Sequence, residues 1–411
     1  MIYILLGYMF LFVHRPFEIW PALGDYHIER VYILIASLIW VAVPGKRLLP
    51  TRQDLAVGIF CLAVLAAWVM SPWSDGGQPA VEDYFKIVVF YVLVTTAITR
   101  VQQLRLLTLG FLFIMSLYML HSLWEYRNGR HTFRMGIARL IGVDKTLGDP
   151  NSFGASVVYA LPFVRLFWLT AKERWIKLFL VGYCGLSGLC VLLTGSRSSL
   201  LGMLVFGLIT VMQSRRRFIF LILGAGVAVG AFAALPAELQ TRFETIINPE
   251  VGPKSAQVSG QGRLEGLVKG AELWERFPIS GCGPGVWRTA THSTIESHSL
   301  YGQVIGETGT LGAVAFVAFV TVYVLGIRQL RRRTRHIDTP DGQFLYHLTT
   351  TLAVTVLLML LEGFFGHNLF RFNWLWYSGF LVIAAQSLSR VESSAWSLPQ
   401  LSWPAQRLVA R

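Results

Sequence analysis

Apolar runs about as long as a bilayer is thick alternate with short polar breaks along almost the whole chain. A helix needs roughly 20 residues to cross the hydrocarbon core. The runs are continuous stretches of Leu, Val and Phe, whereas barrel strands would alternate over short segments, so the predicted spans are helical. The pattern predicts about twelve of them, at 2–13, 29–45, 54–71, 83–99, 104–122, 151–170, 176–194, 198–213, 217–235, 308–328, 346–366 and 372–388. The expected fold is therefore all-α integral membrane. Spans one to nine form a transmembrane bundle over 1–235, a large hydrophilic loop with amphipathic helices covers 236–307, and spans ten to twelve with a tail cover 308–411. No repeat relates the two halves, which argues against a transporter built by duplication.

Composition supports this picture. Hydrophobic residues make up 54% of 411 positions and charged residues only 14%, where a soluble domain carries about a quarter. Mean hydropathy is +0.53. The net charge of +13 reads as Lys and Arg anchoring loops at anionic headgroups, so no nucleic-acid partner is expected. Lys46, Arg47 and Arg52, then Arg100 and Arg105, Lys172 to Lys177, Arg215 to Arg217 and Arg328 to Arg335 all fall on one side if both termini are cytoplasmic. That is the side the positive-inside rule assigns. The four cysteines show neither a disulfide framework nor CxxC metal spacing. The first run begins without a basic leader or cleavage site and is expected to be a retained span.

Two segments on the opposite side carry charge against the rule: 123–150, with Arg127, Arg130, Arg134, Arg139 and Lys145, and the long loop. Candidate chemistry gathers at their edges. In Thr194-Gly195-Ser196-Arg197-Ser198-Ser199, between spans seven and eight, Arg197 stands at the membrane interface. It reads either as a snorkelling anchor or as a guanidinium fork for phosphate oxygens. Gly148-Asp149-Pro150-Asn151-Ser152 has the form of a capped helix start, with a sugar contact from Asp149 as its functional alternative. Within the loop, apolar residues at helical spacing predict an amphipathic helix over 262–276, preceded by a flexible Gly/Ser/Lys stretch over 252–262. Arg263 would then sit at a helix start, where a cation opposes the macrodipole. Last, Glu296-Ser297-His298-Ser299-Leu300-Tyr301 leads into span ten. His298 is either a hydrogen-bonded structural residue or a base near working pH. His131, His292, His298 and His367 lack the spacing of metal ligands, and no GxSxG elbow is present.

Taken in order, Leu192 to Ser198, then Gly262-Arg263 through Trp274 to Pro278-Ile279-Ser280-Gly281-Cys282-Gly283-Pro284-Gly285, then His298-Ser299-Leu300-Tyr301 with Gly306-Glu307-Thr308-Gly309, resemble the O-antigen ligase and polymerase superfamily. The resemblance implies about twelve helices with one large periplasmic loop, in the bacterial inner membrane. It implies transfer of a glycan from an undecaprenyl-diphosphate carrier to a hydroxyl-bearing glycan, lipid A core or protein acceptor at the periplasmic face, with no metal and no cofactor. His298 would be the general base, and Arg197 and Arg263 would hold the diphosphate. Asp149, Tyr301, Glu307, Arg134 and Arg139 are the further expected substrate contacts. Thr241-Arg242-Phe243-Glu244-Thr245-Ile246 is similar to members acting on proteins or exopolysaccharide, such as exosortase-associated O-glycosylation ligases. A polymerase of the same superfamily and a lipid-linked glycan transporter stay open as alternatives. Spans nearly free of charge and unusual residues at the outer interface favour an enzyme over a transporter.

Overall fold

The computed structural model describes residues 1–20, 23, 25–47, 49–134, 137–144, 148–244 and 254–396. The helices are α1 (Ile2–His14), α2 (Pro16–Ile19), α3 (Ile28–Ala42), α4 (Arg52–Val69), α5 (Ser74–Ala97), α6 (Val101–Arg127), α7 (Pro150–Thr170), α8 (Arg174–Thr194), α9 (Arg197–Met212) and α10 (Arg217–Ala233). Then come α11 (Ala237–Glu244), α12 (Lys254–Arg276), α13 (Trp287–Thr291), α14 (Leu300–Thr334), α15 (Pro340–Glu362) and α16 (Phe372–Trp396). Each of the twelve expected segments lies on a helix. Among the described residues, seven stretches are both long and apolar enough to cross a membrane: Ile2–Ile19, Arg52–Val69, Val101–Arg127, Pro150–Thr170, Arg174–Thr194, Leu300–Thr334 and Pro340–Glu362. Arg197–Met212 and Arg217–Val227 are apolar but shorter. The chain is an integral membrane protein built of helices.

Between α6 and α7 the chain also forms a small antiparallel hairpin that the apolar pattern does not announce. Its strands are β1 (Thr132–Arg134) and β2 (Ile137–Arg139), with Phe133 opposite Ala138.

In the bundle, α14 packs against α4, α15 against α7, α7 against α8, and α16 against α5. Aromatic rings fill the centre: Phe316 meets Trp374 edge-on at 5.1 Å, and Phe111 meets Tyr377 at 5.7 Å. Such pairs contribute about 0.5–1.5 kcal/mol beyond their buried area. A smaller core of Leu273, Cys282, Val286, Trp287 and Ala290 lies under the loop.

The amphipathic loop helix begins earlier than its apolar stripe suggests. Residues 254–262, expected to be flexible, form the first turns of α12, because Lys254, Ala256 and Gln257 are good helix formers. Arg263 therefore lies nine residues after the helix start, and the macrodipole argument at that position falls away. Residues 252 and 253 lie outside the described ones.

Helix α12 rests on α14 through glycines. A Cβ at Gly270 would come within 2.6 Å of the Gly302 carbonyl oxygen, and one at Gly306 within 3.2 Å of the Gly270 Cα. Small residues at this spacing let two helix backbones touch.

One turn further, α14 breaks at Gly309, whose φ of 60° and ψ of −163° are open to glycine alone. The segment after α12 fills the break. Cys282 and Gly283 donate their N–H groups to the Gly306 and Glu307 carbonyls at 2.9 and 3.0 Å. In exchange, Thr310 and Leu311 donate to the carbonyls of Pro278 and Ile279 at 2.9 and 3.1 Å. The four backbone groups freed by the kink are thus all paired, as burial requires.

Candidate functional site

A cleft of about 210 Å³ opens where helix ends from distant parts of the chain meet. Asp149, Asn151 and Ser152 belong to the N-terminus of α7, and Ser198 to that of α9. His298 precedes the α14 cap, and Arg371 precedes α16. Four helix N-termini therefore face one space. Each brings the positive end of a helix dipole, and together these suit an anion. Three caps are made locally by short side chains, Asp149, Ser196 and Ser299, the last accepting from the Gly302 N–H at 3.4 Å. Asp149 Oδ2 accepts from the Ser152 N–H at 2.9 Å, and the Ser196 hydroxyl accepts from the Ser199 N–H at 3.4 Å. Gly195, left-handed at φ 57°, ends α8 one residue before Ser196 caps α9.

The backbone beside His298 is fixed from both sides by the turn after α15. Leu300 donates its N–H to the Gly363 carbonyl at 2.7 Å, and His367 Nδ1 lies 3.1 Å from the Ser297 carbonyl. A carbonyl can only accept, so Nδ1 carries the proton and Nε2 keeps its lone pair. Burial pushes the His367 imidazole down to about 4, helped by the positive Arg371 and by His298 and opposed by Asp149. The same turn is tied to the bundle. Asn368 donates to the Tyr159 hydroxyl at 2.9 Å, and the Leu369 N–H donates to Gln303 at 3.2 Å.

The remaining walls are ionic. Arg288, on α13, pairs with Glu296 at 2.8 Å. Burial raises the Glu296 carboxyl above the usual range, against the pull of Arg288. Glu362, at the end of α15, contributes a buried carboxylate. A base or acid, three cationic or imidazole groups and four helix N-termini thus surround a space open to the surface. Such a site can hold an anionic group and accept a proton next to it.

The comparisons with known proteins fall on this part of the chain. Residues 182–317 match the family model for O-antigen ligase. The match supports the O-antigen ligase superfamily. It runs from α8 into α14 and so takes in Arg197, Arg263, Arg288 and His298. No curated protein matches the chain.

Within the matched segment and around it, the expected residues divide. His298 and Asp149 line the cleft together. Arg197 opens α9 next to the lining residue Ser198, half-buried. Arg139 is buried behind the cleft, with Nε on the Thr194 carbonyl at 2.6 Å and Nη2 on Asn151 at 3.0 Å. From the other side, Arg242 of α11 donates to the Gly195 carbonyl at 2.6 Å. Two guanidiniums thus sit on carbonyls at the C-terminal end of α8, where a helix favours cations.

Tyr301 and Glu307 lie away from the lining. The Tyr301 hydroxyl donates to the Leu360 carbonyl at 2.9 Å, and its ring lies against Phe364. Glu307 is buried in the α14 break, where one carboxylate oxygen accepts from the Gly285 N–H at 3.1 Å. Arg263 and Arg134 stand on α12 and β1, but their side chains lie outside the described ones, as does Lys145 altogether.

Sequence reasoning passed over Arg288, Glu362 and Arg371, and weighed His367 only as a metal ligand. A signal existed for the last two: His367 and Arg371 are the ionisable residues of a five-residue break between two apolar spans. Among the described residues no three His, Cys, Asp or Glu side chains gather as a metal-binding group.

Proposed function

We propose that the protein is a glycosyltransferase that moves a glycan from an undecaprenyl-diphosphate carrier to a hydroxyl on a glycan, lipid A core or protein acceptor at the periplasmic face. The observation that supports this most is the convergence of four helix N-termini with Arg288, Arg371, His298 and His367 on one cleft at the end of an apolar bundle. A diphosphate on a lipid carrier is anionic and held at the membrane edge, and this arrangement complements it. The match of residues 182–317 to O-antigen ligase points the same way.

In this reading His298 removes the proton from the acceptor hydroxyl. The acceptor oxygen bonds to the anomeric carbon as the bond from that carbon to the diphosphate oxygen breaks, and the electron pair stays on the diphosphate. Arg197, Arg263, Arg288 and Arg371, with the helix N-termini, stabilise the charge that collects there. Asp149 faces the same cleft and is placed to orient a sugar hydroxyl.

The test is transfer by the purified protein from an undecaprenyl-diphosphate oligosaccharide to candidate acceptors, with and without chelator. His298→Ala should lower the rate about 10²–10⁴-fold with unchanged thermal stability. Arg288→Ala and Arg371→Ala should weaken donor use. A second carrier-linked glycan as the productive acceptor would mark a polymerase. Full activity in His298→Ala would remove the base assignment. Movement of the carrier across liposomes without transfer would overturn the enzyme reading.

A further inference from the structure

At the end of the bundle away from the cleft lies a second opening, of about 480 Å³, enclosed by the start of α4, the last third of α14 and the middle of α16. Gly326 forms its floor, because a Cβ there would come within 2.9 Å of Leu381. Val322, Leu325, Leu330 and Leu388 make the walls apolar, while Arg52, Gln53 and Arg333 stand at one rim.

Two features of that rim call for a ligand. Gln53 is only 5% exposed, and neither its amide nitrogen nor its carbonyl oxygen has a hydrogen-bond partner. A buried amide in that state is destabilising. Arg52 occupies the first turn of α4, where the helix dipole repels a cation. The acidic cap residue there, Asp54, is already bonded to Thr51 and Arg47. The same end of α14 carries Arg328, Arg331 and Arg332, with Arg335 just past it, beside Arg333, which pairs with Glu392 at 2.7 Å.

We infer that this groove binds one anionic phospholipid of the leaflet at that end. An acyl chain lies along Val322, Leu325 and Leu381. The phosphate meets Arg52, and the Gln53 amide donates to a phosphate or ester oxygen. Inorganic phosphate would leave the apolar wall empty, and a zwitterionic lipid would bring no net charge to the basic rim.

The test uses the full chain, delipidated in detergent, with native mass spectrometry and thermal unfolding as readouts. Phosphatidylglycerol should be retained at one molecule per chain and should raise the melting temperature. Phosphatidylcholine of the same chain length and inorganic phosphate should each act at least tenfold more weakly. Arg52→Gln, at an exposed helix start, should weaken phosphatidylglycerol tenfold or more without unfolding the protein.

Gln53→Leu separates a ligand site from a packing defect. It removes an unpaired buried amide, so the lipid-free melting temperature should hold or rise while the lipid-dependent shift shrinks. Equal protection by phosphatidylcholine or by phosphate, or full phosphatidylglycerol binding in both variants, would overturn the proposal. So would lipid binding that appears only when residues 397–411 are deleted, which would assign the groove to the chain's own C-terminus.

Discussion

His367 shows how much burial decides at a single residue. Its Nδ1 proton is committed to the Ser297 carbonyl at 3.1 Å, a bond the imidazolium would keep, so what opposes protonation is the burial of a second positive charge beside Arg371. Burial and the neighbouring Arg371 and His298 keep it neutral down to about 4, against 6.5 for an ordinary histidine. In the unfolded chain the ring takes its proton near 6.5; in the folded chain it does so near 4. The folded state therefore binds fewer protons between these values. The stability this residue contributes is complete above about pH 6.5 and is lost as pH falls toward about 4. Melting temperature against pH should show that decline in the wild type and a flatter profile in His367→Asn, whose amide still donates to the carbonyl. An unchanged slope in the variant would mean that another group governs the acid side. Transfer rates add a second reading. A ring that only positions His298 should cost far less when replaced by Asn than by Ala, whereas a ring that itself takes the acceptor proton should lose activity in both.

Among the elements, the broken α14 matters most, because it joins packing to the site. Its kink at Gly309 is stabilised by the inserted Pro278–Gly283 segment, which leads directly toward α13, the helix that carries Arg288. Gly309→Ala would place a Cβ about 2.4 Å from the Ile279 carbonyl oxygen, in a backbone conformation that only glycine adopts without strain. The strain alone costs of order 1–3 kcal/mol, and the clash adds to it. The expected outcome is a clear drop in melting temperature together with weakened donor use, since Arg288 follows that segment in the chain. Gly129→Ala is the control. It also stands at positive φ, 89°, but with nothing within 4 Å of the added Cβ, and it should cost stability modestly and donor use not at all. Equal effects of the two substitutions would separate the kink from the site. The glycine run Gly281, Gly283, Gly285 and the Gly306-Glu307-Thr308-Gly309 motif, read from sequence as marks of a family, have here a joint mechanical explanation. Glu307, taken for a substrate contact, sits at the junction of the two.

At the scale of the whole molecule, what the sequence made legible was local and what it hid was not. Long apolar runs announce helices because hydrophobic length is a property of neighbouring residues, and each expected segment lies on one. His298 and Asp149 were legible because each stands in a polar motif at a span boundary. Arg288, Glu362, His367 and Arg371 were not, because their meeting depends on how helix ends scattered between residues 149 and 371 come together, and no short window contains that. Arg139 and Tyr301 lay close to the cleft in sequence, yet their side chains serve carbonyls of the framework. The same long-range geometry bears on orientation. Beyond its break at Gly309, α14 continues to Thr334 with Arg331, Arg332 and Arg333 in its last turn, roughly 38 Å at 1.5 Å per residue, still longer than a hydrocarbon core of about 30 Å. A helix of that length can place its two ends on opposite sides of the membrane. By the positive-inside rule the basic end should face the cytoplasm, and the cleft at the other end is then expected in the periplasm, where the proposed carrier-linked glycan would be used. Single cysteines at Thr294 and Asp338, both exposed, test this in a background with the exposed Cys184 replaced by serine. An impermeant maleimide that passes the outer membrane should label Thr294→Cys in intact cells, and Asp338→Cys only after the inner membrane is opened. The reverse pattern would turn the protein over and place its proposed donor on the cytoplasmic side; labelling of both in intact cells would show that α14 does not span.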